Sequence, residues 1–336
     1  MEQIPNFRVV GRIEEDDKKL IAERRLSLLY EKHLANMDKA TRNELDENEL
    51  PKTEEELRFI ELANDQTNEL LKLASIEPYD VPERNFHKIK QELYKKYKSE
   101  TTAGFFEERY QMILLNANIV PSNRLYKALV IFHELLHMKS YLAYHASAEE
   151  EDGRKILHTT KYREGVDVRS APMKELTGDE HEHFYGLNEA IVSYEEKIYL
   201  QKLMQTPLFT EEKQNLLSSE IEPAKEHLVK EQGIPEDELV AIDTSENYYL
   251  SIGYQAQRKV LDYVCEQIAQ DTNRSVEDIH GEFLKSQLSG KLVFLAKLVE
   301  NSFGEKSFAE LGKLTSKNED AIAVLDSLKS MRSVLS

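Results

Sequence analysis

Cysteine is almost missing from this 336-residue sequence, and the one thiol, Cys265, rules out an internal disulfide. It sits among Val260, Leu261, Val264 and Ile268 at helical spacing, where a buried thiol packs as a small hydrophobe. Also missing is any uninterrupted apolar stretch of about 18 residues, which a membrane-spanning helix requires. Met1 to Gly11 carries no apolar run of the kind a signal peptide needs. Both absences lead us to expect a soluble, cytoplasmic protein. Positive charge is the scarce sign: 44 Lys and Arg face 62 Asp and Glu, for a formal net charge of -18. Such a chain repels nucleic-acid phosphates and anionic lipid, so neither nucleic acid nor a membrane is expected as a partner. The acidic residues are spread along polar helical faces and read as a solvated surface. No low-complexity tract or internal repeat interrupts the chain.

What is present is helical periodicity. Apolar residues recur three and four apart from Lys18 to Met37 and from Thr53 to Ser75, and Thr53 with Glu56 makes a capping box after Pro51. Ile76 to Pro82 reads as a linker before a further helix from about Glu83 to Tyr97. Ala103 to Glu107 and Tyr110 to Asn116 look extended. With Ser122 as a candidate N-cap, Leu125, Leu129, Phe132, Leu136 and Ser140 share one face, which predicts a strongly apolar helix from about Asn123 to Tyr144. The chain turns polar between Ala146 and Tyr185, where alternation around Arg163-Glu164-Gly165 suggests an inserted hairpin. Helical periodicity returns from Leu187 to about Gln205, and helices with short Pro or Gly loops account for nearly all of the remainder. The expected organisation is a helical region over 1–75, a subdomain with a small sheet, the apolar helix and the insertion over 76–205, and a helical subdomain over 206–336. The fold class is α+β, mostly α-helical, with a small antiparallel sheet.

The central helix contains His133-Glu134-Leu135-Leu136-His137, the HExxH pattern. Side chains four apart on a helix lie about 5–6 Å apart on one face, so both imidazoles can reach one Zn²⁺ at about 2.0–2.1 Å. Glu134 is rotated away from direct coordination but can reach a water polarised at the site, where its carboxylate takes the proton and later returns it to a leaving amine. Given ten His in the chain, chance supplies only about 0.03 such matches. The motif is also embedded in an apolar helix, from Ala128 to Phe132 before it to Leu135, Leu136 and Met138, where two His and a Glu require partners.

A catalytic zinc needs a third protein ligand and an open fourth position. Two segments offer one. Asp179-Glu180-His181-Glu182-His183 is rich in donors but lies in a polar run without periodicity, so holding His181 or His183 at a metal requires ordering a loop. Asn188-Glu189 instead puts a carboxylate in the first turns of an otherwise apolar helix with Ala190, Ile191, Tyr194, Ile198 and Tyr199. HExxH followed by a helix containing Asn-Glu resembles the gluzincin clan of metallopeptidases, the thermolysin-like group. The resemblance covers about Ala103 to Tyr199. It implies His133, His137 and Glu189 as zinc ligands, Glu134 as general base, and an antiparallel edge strand above the site, for which Tyr110 to Asn116 is the fitting segment. Such a strand binds an extended peptide by main-chain pairing.

Three features depart from the clan pattern. The gap between His137 and Glu189 is long, Ser193 stands where an Asp would orient a ligand histidine, and Lys139 occupies a position that is usually apolar. An oxyanion stabiliser is also required. Tyr248, Tyr249 and Tyr254 precede a helix from Gln255 to Ala269, and Tyr254, which leads directly into it, is the preferred candidate. The expected function is zinc-dependent hydrolysis of a peptide or protein substrate. The alternatives are a non-catalytic zinc-containing scaffold that binds a protein partner, and another zinc-dependent amide hydrolase.

Overall fold

The structure is a computed structural model that describes residues 6–30, 37–99, 102–118, 123–169, 182–244 and 248–334. Strand β1 (Phe7–Val10) leads into helix α1 (Glu15–Tyr30). Helix α2 (Lys39–Asn48) is capped by Asp38, whose carboxylate accepts from the Thr41 N–H, and passes directly into strand β2 (Glu49–Leu50). Helix α3 (Glu54–Leu73) carries the expected capping box: Thr53 Oγ1 accepts from Glu56 N–H, and Glu56 Oε2 accepts from Thr53 N–H. The helix expected over 83–97 does not form. After a short turn the chain becomes strand β3 (Phe86–Ile89), and only one helical turn follows, α4 (Gln91–Tyr94). Tertiary pairing overrides local preference there, because Phe86 and Ile89 are fully buried.

Strands β4 (Gly104–Glu107) and β5 (Met112–Asn116) occupy the two segments expected to be extended. The sheet order is β2-β3-β5-β4, with β3 parallel to β5 and the other pairs antiparallel. The sheet is therefore mixed, and its edge beside the motif helix is β4. Strand β5, expected at that edge, is instead an interior strand buried along its whole length, because Met112, Ile113, Leu114 and Leu115 present apolar side chains to both faces.

Helix α5 (Arg124–Lys139) carries the HExxH motif and is capped by Asn123, whose Oδ1 accepts from Tyr126 N–H. Ser122, expected as the cap, lies outside the described residues. The helix stops short of 144 because Leu142 onward pairs with β1 on one side and with a long hairpin on the other. That hairpin, β6 (Leu142–Glu151) with β7 (Arg154–Glu164), turns at Asp152 and Gly153, both at positive φ. The hairpin expected around Arg163-Gly165 is the next one, between β7 and β8 (Asp167–Arg169). Strand β9 (Glu182–His183) completes a sheet of order β1-β6-β7-β8-β9.

Helix α6 (Tyr185–Leu203) bears Glu189 and is followed by α7 (Thr210–Leu216) and α8 (Glu222–Glu231). The remainder is not wholly helical, since β10 (Leu239–Asp243) and β11 (Tyr248–Ser251) form an antiparallel pair before α9 (Gln255–Thr272). Helices α10 (Val276–Ser289), α11 (Leu292–Phe303), α12 (Ser307–Leu311) and α13 (Asn318–Ser333) close the chain. With 58% helix and 18% strand the fold is α+β and mostly helical. No described helix is long and apolar enough to cross a membrane.

One cluster of buried apolar side chains runs from Leu29 through α3, α5, α6 and α9 to Leu328, and it includes Cys265. Helix α5 lies in its middle, with Leu125, Leu129, Phe132 and Leu136 fully buried as their spacing predicts. Phe132 stacks on Tyr199 of α6 at 4.4 Å between ring centroids, which locks the two helices that carry the motif and Glu189.

Candidate metal centre

His133 and His137 lie one turn apart on α5, and their Nε2 atoms are 3.2 Å from each other. From the neighbouring helix α6, Glu189 Oε2 lies 3.4 Å from His133 Nε2 and 3.5 Å from His137 Nε2. These three atoms form a nearly equilateral triangle. A tetrahedral ion with bonds of about 2.0–2.1 Å has ligand-to-ligand edges of about 3.3–3.4 Å, so the donor set fits a zinc-sized cation without rearrangement. Among the described residues this is the one group of three or more His, Cys, Asp or Glu side chains able to hold a metal. Of the rival donors, His183 is exposed on β9, and Asp179, Glu180 and His181 lie outside the described residues.

Each histidine meets a second carboxylate at its other ring nitrogen. His133 Nδ1 is 3.1 Å from Glu196 Oε2, and His137 Nδ1 is 3.1 Å from Glu164 Oε1. Each Nδ1–H is placed to donate to its carboxylate, so an incoming cation need displace only the Nε2 protons to gain both Nε2 lone pairs. Sequence reading missed both carboxylates. Ser193, at the expected orienting position, is buried with its Oγ unpartnered, and Glu196 further along α6 does the orienting. Glu164 comes from the inserted hairpin, so the insertion builds the site. The periodicity of α6 contains a signal for Glu196, which shares a face with Glu189. Nothing local marks Glu164.

Asn188, the other half of Asn-Glu, fixes the strand that delivers Glu164. Its Oδ1 accepts from Val166 N–H at 3.1 Å and from Gln287 Nε2 at 3.3 Å, clamping the turn between β7 and β8. Gly165 in that turn has φ +57°, and a Cβ there would stand 2.3 Å from Asn188 Oδ1, so no other residue fits without displacing the clamp. Gly186 plays a similar part at the start of α6. A Cβ on it would meet Thr315 O at 2.3 Å, and its N–H donates to Leu314 O at 2.8 Å, which ties the Glu189 helix to the loop before α13.

The electrostatics follow from these contacts. Burial disfavours a charged imidazole, but Glu189 and Glu196 outweigh it and hold His133 well above its ordinary value. His137 is raised to about 10, burial being overcome by Glu189 and Glu164. Glu189 is held far below the usual carboxylate range by the two imidazoles despite its burial. Glu164 falls to about 2, where Lys161 and His137 overcome the effect of burial. The pocket thus favours positive charge at its centre. Glu134, between the two histidines on α5, behaves oppositely: burial pushes its carboxyl up against the lowering effect of His133 and His137, and the carboxylates of Glu189 and Glu164 add to the rise.

A comparison of the chain with protein-family models, curated proteins and solved structures finds no match.

Tyr254 lies beside the site. At the start of α9 and in a left-handed conformation (φ 55°), it places its ring 6.4 Å from that of His133 with the planes 15° apart. It shares a hydrogen bond with Tyr185, the first residue of α6, which sequence reading passed over. Burial, followed by the nearby Glu189 charge, keeps both phenols protonated far above neutral pH. Tyr248 and Tyr249 lie on β11, with Tyr248 exposed.

Strand β4 runs along α5 at the motif. A Cβ on Gly104 would stand 2.7 Å from Val130 Cγ1 and 3.1 Å from Glu134 Cγ, so glycine is what lets the edge strand approach the site. Lys139, unusual at its position, is fully buried. Its ammonium donates to Asn68 Oδ1 at 2.9 Å and faces the Tyr79 ring at 5.3 Å, and burial lowers its pKa to about 7.

Proposed function

We propose that the protein is a zinc-dependent peptidase of gluzincin type, with His133, His137 and Glu189 holding the ion. The observation that carries this reading is the triangle of 3.2, 3.4 and 3.5 Å edges, combined with an orienting carboxylate on each histidine. When bound, the ion supplies Lewis acidity that polarises a carbonyl and acidifies water. Glu134 then accepts the water proton and returns it to the leaving amine, a role suited to a buried carboxyl whose pKa is raised above its ordinary value. Tyr254 and Tyr185, protonated at neutral pH, are the donors available to a developing oxyanion. An extended substrate pairs with the free edge of β4 and so passes over Glu134.

The test is zinc content by elemental mass spectrometry together with cleavage of a peptide library. Glu134→Gln should keep one zinc per chain and lose about 10²–10⁴-fold in hydrolysis, because the amide cannot take the proton. Metal-free protein that takes up no zinc on titration would end the reading. Stoichiometric zinc with no cleavage of any peptide would transfer the site to a non-catalytic scaffold.

A further inference from the structure

Away from the metal centre, α1, the β6–β7 hairpin and the turn between β4 and β5 surround a cavity of about 840 Å³. That is within the range of organic-ligand sites, roughly 300–1,000 Å³. Its charge runs against the rest of the molecule. Arg24, Arg25, Arg109, Lys161 and Arg169 line it, with Glu108 the one carboxylate among the lining residues, in a chain whose formal net charge is -18. Apolar side chains line it as well, with Phe7, Leu20, Leu28 and Leu157 beside the cations.

Two of the buried or half-buried cations are already committed. Lys161 pairs with Glu164 at 2.6 Å, and Arg169 pairs with Glu182 at 2.7 Å. Arg25 is different. It is only 7% exposed, and its guanidinium lies against both the Phe7 and Tyr144 rings, 4.8 and 5.2 Å from their centroids, which are themselves 5.6 Å apart. Nη1 donates to Tyr144 Oη at 2.9 Å and more distantly to Glu108 O at 3.5 Å, but Nη2 is buried with no hydrogen-bond partner among the described residues. A buried guanidinium with no carboxylate on it and a donor left over is expensive unless an anion completes it. The two ring contacts and the Tyr144 hydroxyl hold the guanidinium in place, and its planar fork suits bidentate recognition of a carboxylate, phosphate or sulfonate.

We propose that this cavity is a second ligand site, for an amphipathic organic anion whose acidic head sits on Arg25 and whose apolar body lies along Phe7, Leu20 and Leu157. The site is independent of the zinc reading.

Anilinonaphthalene sulfonate, an aromatic anion, and the neutral N-phenylnaphthylamine are the probes, followed by fluorescence with the full chain. The sulfonate should saturate at one site per chain and be displaced by laurate. Arg25→Gln should weaken the sulfonate about tenfold or more, the loss of one charge-assisted contact, and leave the neutral probe unchanged. Thr159→Trp, which fills the cavity from an exposed position, should abolish both, and thermal melts of both variants would establish that they fold. Equal sulfonate binding by wild type and Arg25→Gln, or binding indifferent to Thr159→Trp, overturns the proposal. Displacement by inorganic phosphate but not by laurate overturns the amphipathic part and leaves an anion site alone. Laurate displacement that an acidic peptide reproduces at the same concentration assigns the site to peptide carboxylates, and displacement by laurate only assigns it to a free small molecule.

Discussion

Glu189 and Glu195 lie on the same helix, α6, and each is 5% exposed, yet their ionisation runs in opposite directions. Glu189 is held far below the normal carboxylate range, whereas burial lifts Glu195 to about 7 with Lys202 only partly offsetting it. Desolvation is common to both. What differs is the facing surface: two imidazoles from α5 meet Glu189, and no comparable cation meets Glu195. Glu56 on α3 gives a third case, lowered to about 2 where Lys127, the Thr53 N–H and Lys88 overcome burial. A buried carboxylate is therefore informative only once its partners are known.

The comparison can be broken most strongly at Glu189. Glu189→Ala removes one of the three proposed ligands, so zinc affinity measured by isothermal titration should fall by more than about 100-fold, while His183→Ala on exposed β9 leaves it unchanged. The reverse ranking would move the metal site into the insertion.

Glu56→Gln comes next. A carboxyl depressed to about 2 contributes stability that is fully present above its ordinary value of 4.5 and is lost as pH falls through about 2. The substitution should therefore cost about 2–3 kcal/mol at pH 7, a deficit that shrinks toward pH 2 in denaturant melts. A constant deficit across that window would remove the ion pairs as its cause.

The orienting carboxylates should have smaller effects. Glu196→Gln and Glu164→Gln each should lower zinc affinity by about 10–100-fold, while Ser193→Ala, which removes a hydroxyl without a partner, should change nothing. A silent Glu196→Gln would mean that Nδ1 of His133 is oriented by something else.

Glu195→Gln sharpens the contrast by stabilising. Because the folded pKa is raised to about 7, stability declines as pH rises from 4.5 through 7, and the neutral amide escapes that loss. The variant should be more stable by about 1–3 kcal/mol at pH 8 and indistinguishable from wild type near pH 4.5, as read from melts at both values.

The parts of the site that were legible beforehand are those set by helical period. His133, Glu134 and His137 occur within one helix and Glu189 within another, so their spacing and apolar surroundings carry the information. The capping box at Thr53 and the entry of Tyr254 into α9 are local in the same sense. Strand β3 was misread as helix because its reason for being extended is the parallel partner β5, more than twenty residues later in the chain. The β6–β7 hairpin had its Asp-Gly turn in plain view, but its strands alternate weakly, since most of β7 is exposed or half-buried.

The sequence alone determined which side chains can share a helix face, because that depends only on 3.6-residue geometry and on which residues avoid water. It thereby defined the histidine pair, the glutamate between them and a carboxylate on a second helix. Only the tertiary structure decided that Glu189 meets both imidazoles, that Glu164 and Glu196 stand behind them, and that β4 is the open edge. Those relations join α5, α6, the β7–β8 turn and a sheet edge across gaps of many residues. They arise from packing and strand pairing, in which each element's position depends on surfaces supplied by the others.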